Sequence, residues 1–181
     1  MVHIWQARLD ARGWPAAERL PAAERERAAA MLRGQPRDRW VAARWALRGV
    51  LGRYLDERPA AIELGTGERG KPLLAAAGAA TRFNLSHSGE LALVAVSPEL
   101  EVGVDVQRIG KRPAAFYAEW TRREATVKCH GTGLWAPAPD TAVAVADLDA
   151  GPGYAAAVAV AGEAVPPLRR FTFEPADLPA G

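Results

Sequence analysis

Asp105, Glu124 and Lys128 are the residues of this chain whose types and spacing could do chemistry together. Asp105 ends the apolar run Val102-Gly-Val-Asp105, and Gln107 stands two residues on. If the run is a strand, alternation puts Asp105 and Gln107 on one face and Val104 and Val106 on the other. Glu124 and Lys128 stand four residues apart in Trp120-Thr-Arg-Arg-Glu124-Ala-Thr-Val-Lys128, so they share one face of a helix. Two carboxylates from separate segments suit a hard divalent cation that also takes phosphate oxygens, with an acid/base group beside it. Taken singly, each has a plainer use. An Asp after a strand caps a turn, and an isolated Glu–Lys pair is a surface contact worth about 0.2–0.5 kcal/mol.

Further cations lie upstream. Gly65-Thr-Gly-Glu-Arg-Gly70-Lys71 matches most of a phosphate-binding P-loop, but Pro72 stands where that loop needs a magnesium-binding hydroxyl. That excludes a nucleoside triphosphatase and leaves a hairpin turn carrying a lysine. Phe83-Asn-Leu-Ser86-His87-Ser88-Gly89 puts a histidine at a strand–turn junction, with donors available to phosphate. Ser86 and His87 are neighbours on a strand and point to opposite faces, so they are not a hydrolase dyad, and no G-x-S-x-G elbow exists. Cys129 and His130 diverge by roughly 100° on a helix and are not a nucleophile–base pair. Arg44 and Arg48 share a helix face, which in an arginine-rich chain reads first as a solvated basic surface.

The elements that must position these groups follow from periodicity. Residues 37–56 form the clearest helix, with Trp40, Ala43, Leu47, Val50, Leu51 and Tyr54 as its apolar stripe. A second helix, 113–130, starts at Pro113 and is stopped by Gly131. Strands are expected at 2–9, 61–64, 72–74, 82–85, 91–97, 102–106, 141–148, 154–160 and 169–173. Residues 15–33 read as one or two helices, and 174–181 as a frayed tail. The runs 91–96 and 155–160 look alike, and each pair of strands follows a helix. Two related α+β lobes, 1–98 and 99–181, would produce this likeness. So would low-complexity alanine.

The composition is that of an ordinary globular chain of 181 residues, 49% hydrophobic and 24% charged. No apolar run approaches a membrane span, and residues 1–8 lack a signal-peptide pattern, so a cytoplasmic protein is expected. The single Cys129 agrees. A net charge of +2 is too small to argue for nucleic acid, and suits an acidic protein or a phosphate-bearing ligand. Of 23 basic residues 20 are Arg and three are Lys, and two of those lysines, Lys71 and Lys128, fall in the segments described above.

In wording and order these segments resemble the Sfp-type 4'-phosphopantetheinyl transferases. Gly70-Lys71-Pro72 is similar to that family's first motif, Phe83 to Gly89 to its second, Gly103-Val104-Asp105-Val106-Gln107 to its metal motif, and Trp120-x3-Glu124-x3-Lys128-x2-Gly131-x-Gly133-Leu134 to its third. The resemblance covers about residues 37–134. It implies two α+β lobes related by a pseudo-twofold axis, with the active site between them. It also implies transfer of the 4'-phosphopantetheine arm of coenzyme A to a serine of an apo acyl, aryl or peptidyl carrier protein, releasing 3',5'-ADP.

Residue by residue, the resemblance gives magnesium, or manganese in its place, to Asp105, Glu124 and Gln107. It gives coenzyme A to Arg44, Arg48, Lys71, Ser86, His87 and Lys128, and the acid/base work to Glu124 and Lys128 beside Asp105. Arg27 falls where the family often places another phosphate contact. The implied partner is an acidic carrier protein, and the implied enzyme is a monomer away from membranes. Two features depart from the family pattern. Gln107 replaces the second acid of many members, and only 15 positions separate Asp105 from Trp120, a markedly shortened segment. The competing reading is a coenzyme A- or carrier-binding module with impaired catalysis.

Overall fold

The computed structural model describes residues 1–66, 72–75, 81–131 and 141–179. Gly70, Lys71, Gly133 and Leu134, four positions of the expected motifs, lie outside them. Nine strands and three α-helices occupy the described residues. In chain order they are β1 (Val2–Arg8), α1 (Ala22–Ala30), α2 (Gln35–Leu55), β2 (Leu64–Thr66), β3 (Pro72–Leu74), β4 (Arg82–Ser88) and β5 (Leu91–Ser97), then β6 (Val102–Arg108), α3 (Ala114–His130), β7 (Val143–Leu148), β8 (Tyr154–Ala161) and β9 (Leu168–Phe173). Among them no helix is long and apolar enough to cross a membrane.

The strands form a four-stranded sheet ordered β4-β5-β1-β9, a three-stranded sheet ordered β6-β8-β7, and a β2–β3 hairpin. β9, from the segment expected in the second lobe, pairs in parallel with β1. The layers follow from alternation. On β5, Leu91, Leu93 and Ala95 face the second sheet, where they meet Val102, Val104 and Val106 of β6 and Val158 and Val160 of β8. Val94 and Val96 point the other way, onto Leu47, Val50 and Leu51 of α2. Ala157 and Ala159 of β8 pack on Ala125 and Cys129 of α3. The result is helix, sheet, sheet, helix. β5 is buried along its whole length because both its faces are covered, which explains why its sequence is apolar without interruption.

α2 starts with Pro36 in its first turn, where a missing N–H breaks no helical bond, and ends at Asp56 in the left-handed conformation. The expected basic face of this helix is not solvated. Every residue from Val41 to Leu51 is buried, Arg44 and Arg48 included, because α1 and the chain after α2 cover that side. The C-terminal segment also differs from expectation. Pro175–Asp177 forms a 3-10 turn closed by reciprocal Glu174–Asp177 capping, Leu178 packs on the core beside Phe173, and Arg53 donates to Asp177 at 2.8 Å.

Candidate functional site

Gly103 decides how closely α3 can lie on β6. A Cβ placed there would sit 2.0 Å from the carbonyl oxygen of Ala125 and 2.4 Å from the amide nitrogen of Cys129, both backbone atoms of α3. The missing side chain therefore lets the two backbones touch. Asp105 and Gln107 share Gly103's strand face, and Glu124 and Lys128 flank its contact point on the helix. One glycine thus brings the strand acid to the helix pair.

Asp105 is 1% exposed. Its Oδ1 accepts from Lys128 Nζ at 2.6 Å and from Ser86 Oγ at 2.8 Å, and Gln107 Nε2 lies 3.5 Å from Oδ2. Lys128 Nζ also reaches Ser86 Oγ at 3.0 Å and the Val104 carbonyl at 3.3 Å. Glu124 Oε1 is buried with no hydrogen-bond partner. Burial first, and the charge of Asp105 second, push the Glu124 carboxyl above its ordinary range, against the opposing pull of Lys128 and Arg123.

This pair fits a divalent cation. An orphaned buried carboxylate oxygen beside a second carboxylate is what a cation would satisfy. Among the described residues no cluster of three or more His, Cys, Asp or Glu exists, so these residues supply only part of a shell. Magnesium characteristically binds one or two carboxylates and takes its other ligands from phosphate and water.

Ser86, expected beside His87 as a coenzyme A contact, donates its hydroxyl to Asp105. Its strand seams the two sheets together through side-chain oxygens. Asn84 Oδ1, Ser86 Oγ and Ser88 Oγ accept the backbone N–H groups of Val104, Val106 and Arg108 at 2.9, 3.3 and 3.0 Å. Period-two alternation sends these three polar residues to one side. Leu85 and His87 point to the other, where a cleft of about 230 Å³ is lined by Glu24, Arg27, Trp40, Arg44, Leu85, His87 and Pro72 among others.

The cleft is cationic and part aromatic. The Arg27 and Arg44 guanidiniums lie 5.6 and 5.9 Å from the Trp40 ring centroid. The cleft walls, and then the charges of Lys128 and Arg44, hold the His87 pKa below the usual histidine value. Arg48 does not line the cleft. Its Nε donates to Glu24 and its Nη1 to the carbonyls of Pro59 and Ile62, so its bonds are made inside the protein.

Three side chains escaped the sequence reading. Asn84 and Ser88 could have been found from the alternation of polar residues on β4. Glu24 had no such signal, since nothing in the sequence separates it from Glu18 and Glu26.

The chain is similar to several 4'-phosphopantetheinyl transferases. It is 30% identical to HetI of Nostoc sp. over 167 residues, 74% of this chain and 70% of HetI. It is 36% identical to AcpT of Salmonella typhimurium over 129 residues, 56% of this chain and 63% of that one. With AcpT of Escherichia coli the identity is 33% over 145 residues, 64% of this chain and 68% of the relative. No family model matches. With the aligned stretch covering more than two thirds of relatives at 30% identity or better, the chain belongs to the 4'-phosphopantetheinyl transferases.

Proposed function

We propose that this protein transfers the 4'-phosphopantetheine arm of coenzyme A to a serine of an apo carrier protein, in a magnesium-dependent reaction that releases 3',5'-ADP. The observation that carries the reading is the meeting of Glu124 and Lys128 of α3 with Asp105 of β6, beside a cleft that Arg27 and Arg44 make cationic and His87 lines. Two α+β lobes, each a helix on a sheet with this site between them, are the arrangement we infer. Each sheet carries its own helix, α2 on one and α3 on the other.

Asp105 and Glu124 would hold the cation, which when bound neutralises charge on the pyrophosphate. Arg44 and His87, with Arg27, hold the nucleotide end of coenzyme A and so fix the reacting phosphate in line with the serine. We give Lys71 to the same end. Arg48 supports it from behind through Glu24. Glu124 takes the proton of the serine hydroxyl, directly or through water; a raised pKa makes its carboxylate a better base. The serine oxygen bonds to the β-phosphorus as the bond from that phosphorus to the bridging oxygen breaks. Lys128 stabilises the departing 3',5'-ADP and can protonate it.

The test is incubation with coenzyme A, magnesium and a panel of apo acyl, aryl and peptidyl carriers, followed by intact-mass measurement. At least one carrier should gain the arm's mass, and Asp105→Asn and Glu124→Gln should each lower the rate by about 10²–10⁴-fold. Tight coenzyme A binding with no carrier modified would instead support the impaired module.

A further inference from the structure

One carboxylate joins α1 to α2. Glu24 Oε1 accepts from Nε and Nη2 of Arg44, the Nε at 2.6 Å, and its Oε2 accepts from Nε of Arg48 at 2.7 Å. Arg48 is itself fastened by Nη1 to the carbonyls of Pro59 and Ile62, at 2.9 and 2.8 Å. All three side chains are buried. Glu24 and Arg44 both line the cationic cleft, and Arg48 stands behind them.

A carboxylate is a poor wall for a phosphate site, because it repels the ligand. Here its charge is spent on two guanidiniums, so the triad still carries one net positive charge (two cations against one anion). What Glu24 contributes is geometry. With Nε and Nη2 committed, the planar guanidinium of Arg44 cannot swing, and Nη1 is the edge left for a ligand. The ordering of this long side chain is therefore complete before any anion arrives, which removes a cost of binding.

We propose that Glu24 is the positioning residue of this cleft. It fixes Arg44 against the anchored Arg48, and so selects a nucleotide with a ribose 3'-phosphate over the same nucleotide without one. The inference rests on the coenzyme A reading above, and gives Glu24 a selective role that the reading leaves open.

The test compares coenzyme A with dephospho-coenzyme A, which lacks only that phosphate, by calorimetric titration of the whole chain. Wild type should prefer coenzyme A. Glu24→Gln keeps the arm's length, loses the charge and turns an amide N–H toward a guanidinium. It should weaken coenzyme A by about tenfold while dephospho-coenzyme A changes far less, so that the preference narrows. In turnover the loss should appear in KM for coenzyme A rather than in kcat. In an Arg44→Gln background, Glu24→Gln should leave the preference where Arg44→Gln alone puts it, because the residue acts through Arg44.

Equal weakening of both ligands, an unchanged preference, or a full effect persisting without Arg44 would each overturn the proposal. If Glu24→Gln gives no cooperative melt, Glu24→Asp carries the same comparison, since it keeps the charge but withdraws it by one methylene. Wild type binding neither nucleotide would overturn the coenzyme A reading itself. Wild type preferring coenzyme A and a variant preserving that preference would overturn the role of Glu24 alone.

Discussion

Lys128 Nζ lies 2.6 Å from Asp105 Oδ1, so the ammonium of a helix neutralises a strand carboxylate that is 1% exposed. Ser86 Oγ bonds to both, which ties the pair to the seam between the sheets. The same ammonium cannot both neutralise Asp105 and stabilise a leaving group. A divalent cation held by Asp105 and Glu124 would supply the first charge and leave Lys128 free for the second task.

Lys128→Met tests this exchange. It leaves a buried carboxylate uncompensated, which costs several kcal/mol when both partners are buried; with Lys128 partly exposed we expect about 2 kcal/mol. Magnesium should then raise the melting temperature of the variant more than that of the wild type, because the ion replaces a missing charge in one and competes with a lysine in the other. Equal magnesium shifts in thermal unfolding would separate Lys128 from the metal.

Glu124 makes a pH prediction. Its folded pKa is raised, by burial and then by Asp105, above the value of an unfolded glutamate. The folded state therefore binds the proton more tightly. That contribution to stability is fully present below the unfolded pKa and is lost as pH rises through the folded value. Without magnesium, wild type should lose stability relative to Glu124→Gln as pH climbs from about 4 through the upper carboxylate range. Denaturant midpoints measured across that interval check it. Parallel curves for the two proteins would show that Glu124 is not under strain.

The helix that carries Glu124 and Lys128, and the strand that carries Asp105, were legible because each rests on local periodicity. α3 begins after Pro113 and ends at Gly131, whose φ of 70° suits a residue without a side chain. What alternation could not reveal is where a face goes once tertiary partners arrive. Arg44 and Arg48 have the spacing of a solvated stripe, and only the docking of α1 turns them inward onto Glu24. Ser86 and His87 are adjacent in sequence, and their opposite directions were readable. Which direction meets the carboxylates depends on β4 lying beside β6, a contact between residues about 20 apart. The C-terminal segment, by composition a tail, is held by Leu178 on the core and by Asp177, whose partner Arg53 lies 124 positions earlier in the chain.

Gly103 offers a test of the same long-range packing. Its neighbours on α3 are backbone atoms, which cannot rotate away as a side chain could. Gly103→Ala must push α3 off β6, and so should destabilise the protein by about 3 kcal/mol or more. In whatever fraction folds, Glu124 and Lys128 are displaced from Asp105, so transfer should fall further than stability alone predicts. A variant with wild-type denaturation midpoint and rate would show that the helix has room to spare.

Under the proposed magnesium dependence, Gln107 is the residue through which the metal demand should be tunable. It stands on the strand face of Asp105, with its Nε2 3.5 Å from Oδ2 of that residue and its Oε1 3.4 Å from Ser88 Oγ. Its side chain therefore already reaches the carboxylate, but with a donor turned toward it. Gln107→Glu replaces that donor by a hard anionic oxygen, which magnesium and manganese favour. The same change sets two carboxylates side by side, so without metal the variant should be less stable than wild type, and added magnesium should recover the loss. In turnover, the magnesium concentration for half-maximal rate should fall. The added charge also opposes the pyrophosphate, so the coenzyme A requirement should rise as the metal requirement falls. Titrations of metal and of coenzyme A that superimpose for the two proteins would place Gln107 outside the site and leave Asp105 and Glu124 as the protein's ligands.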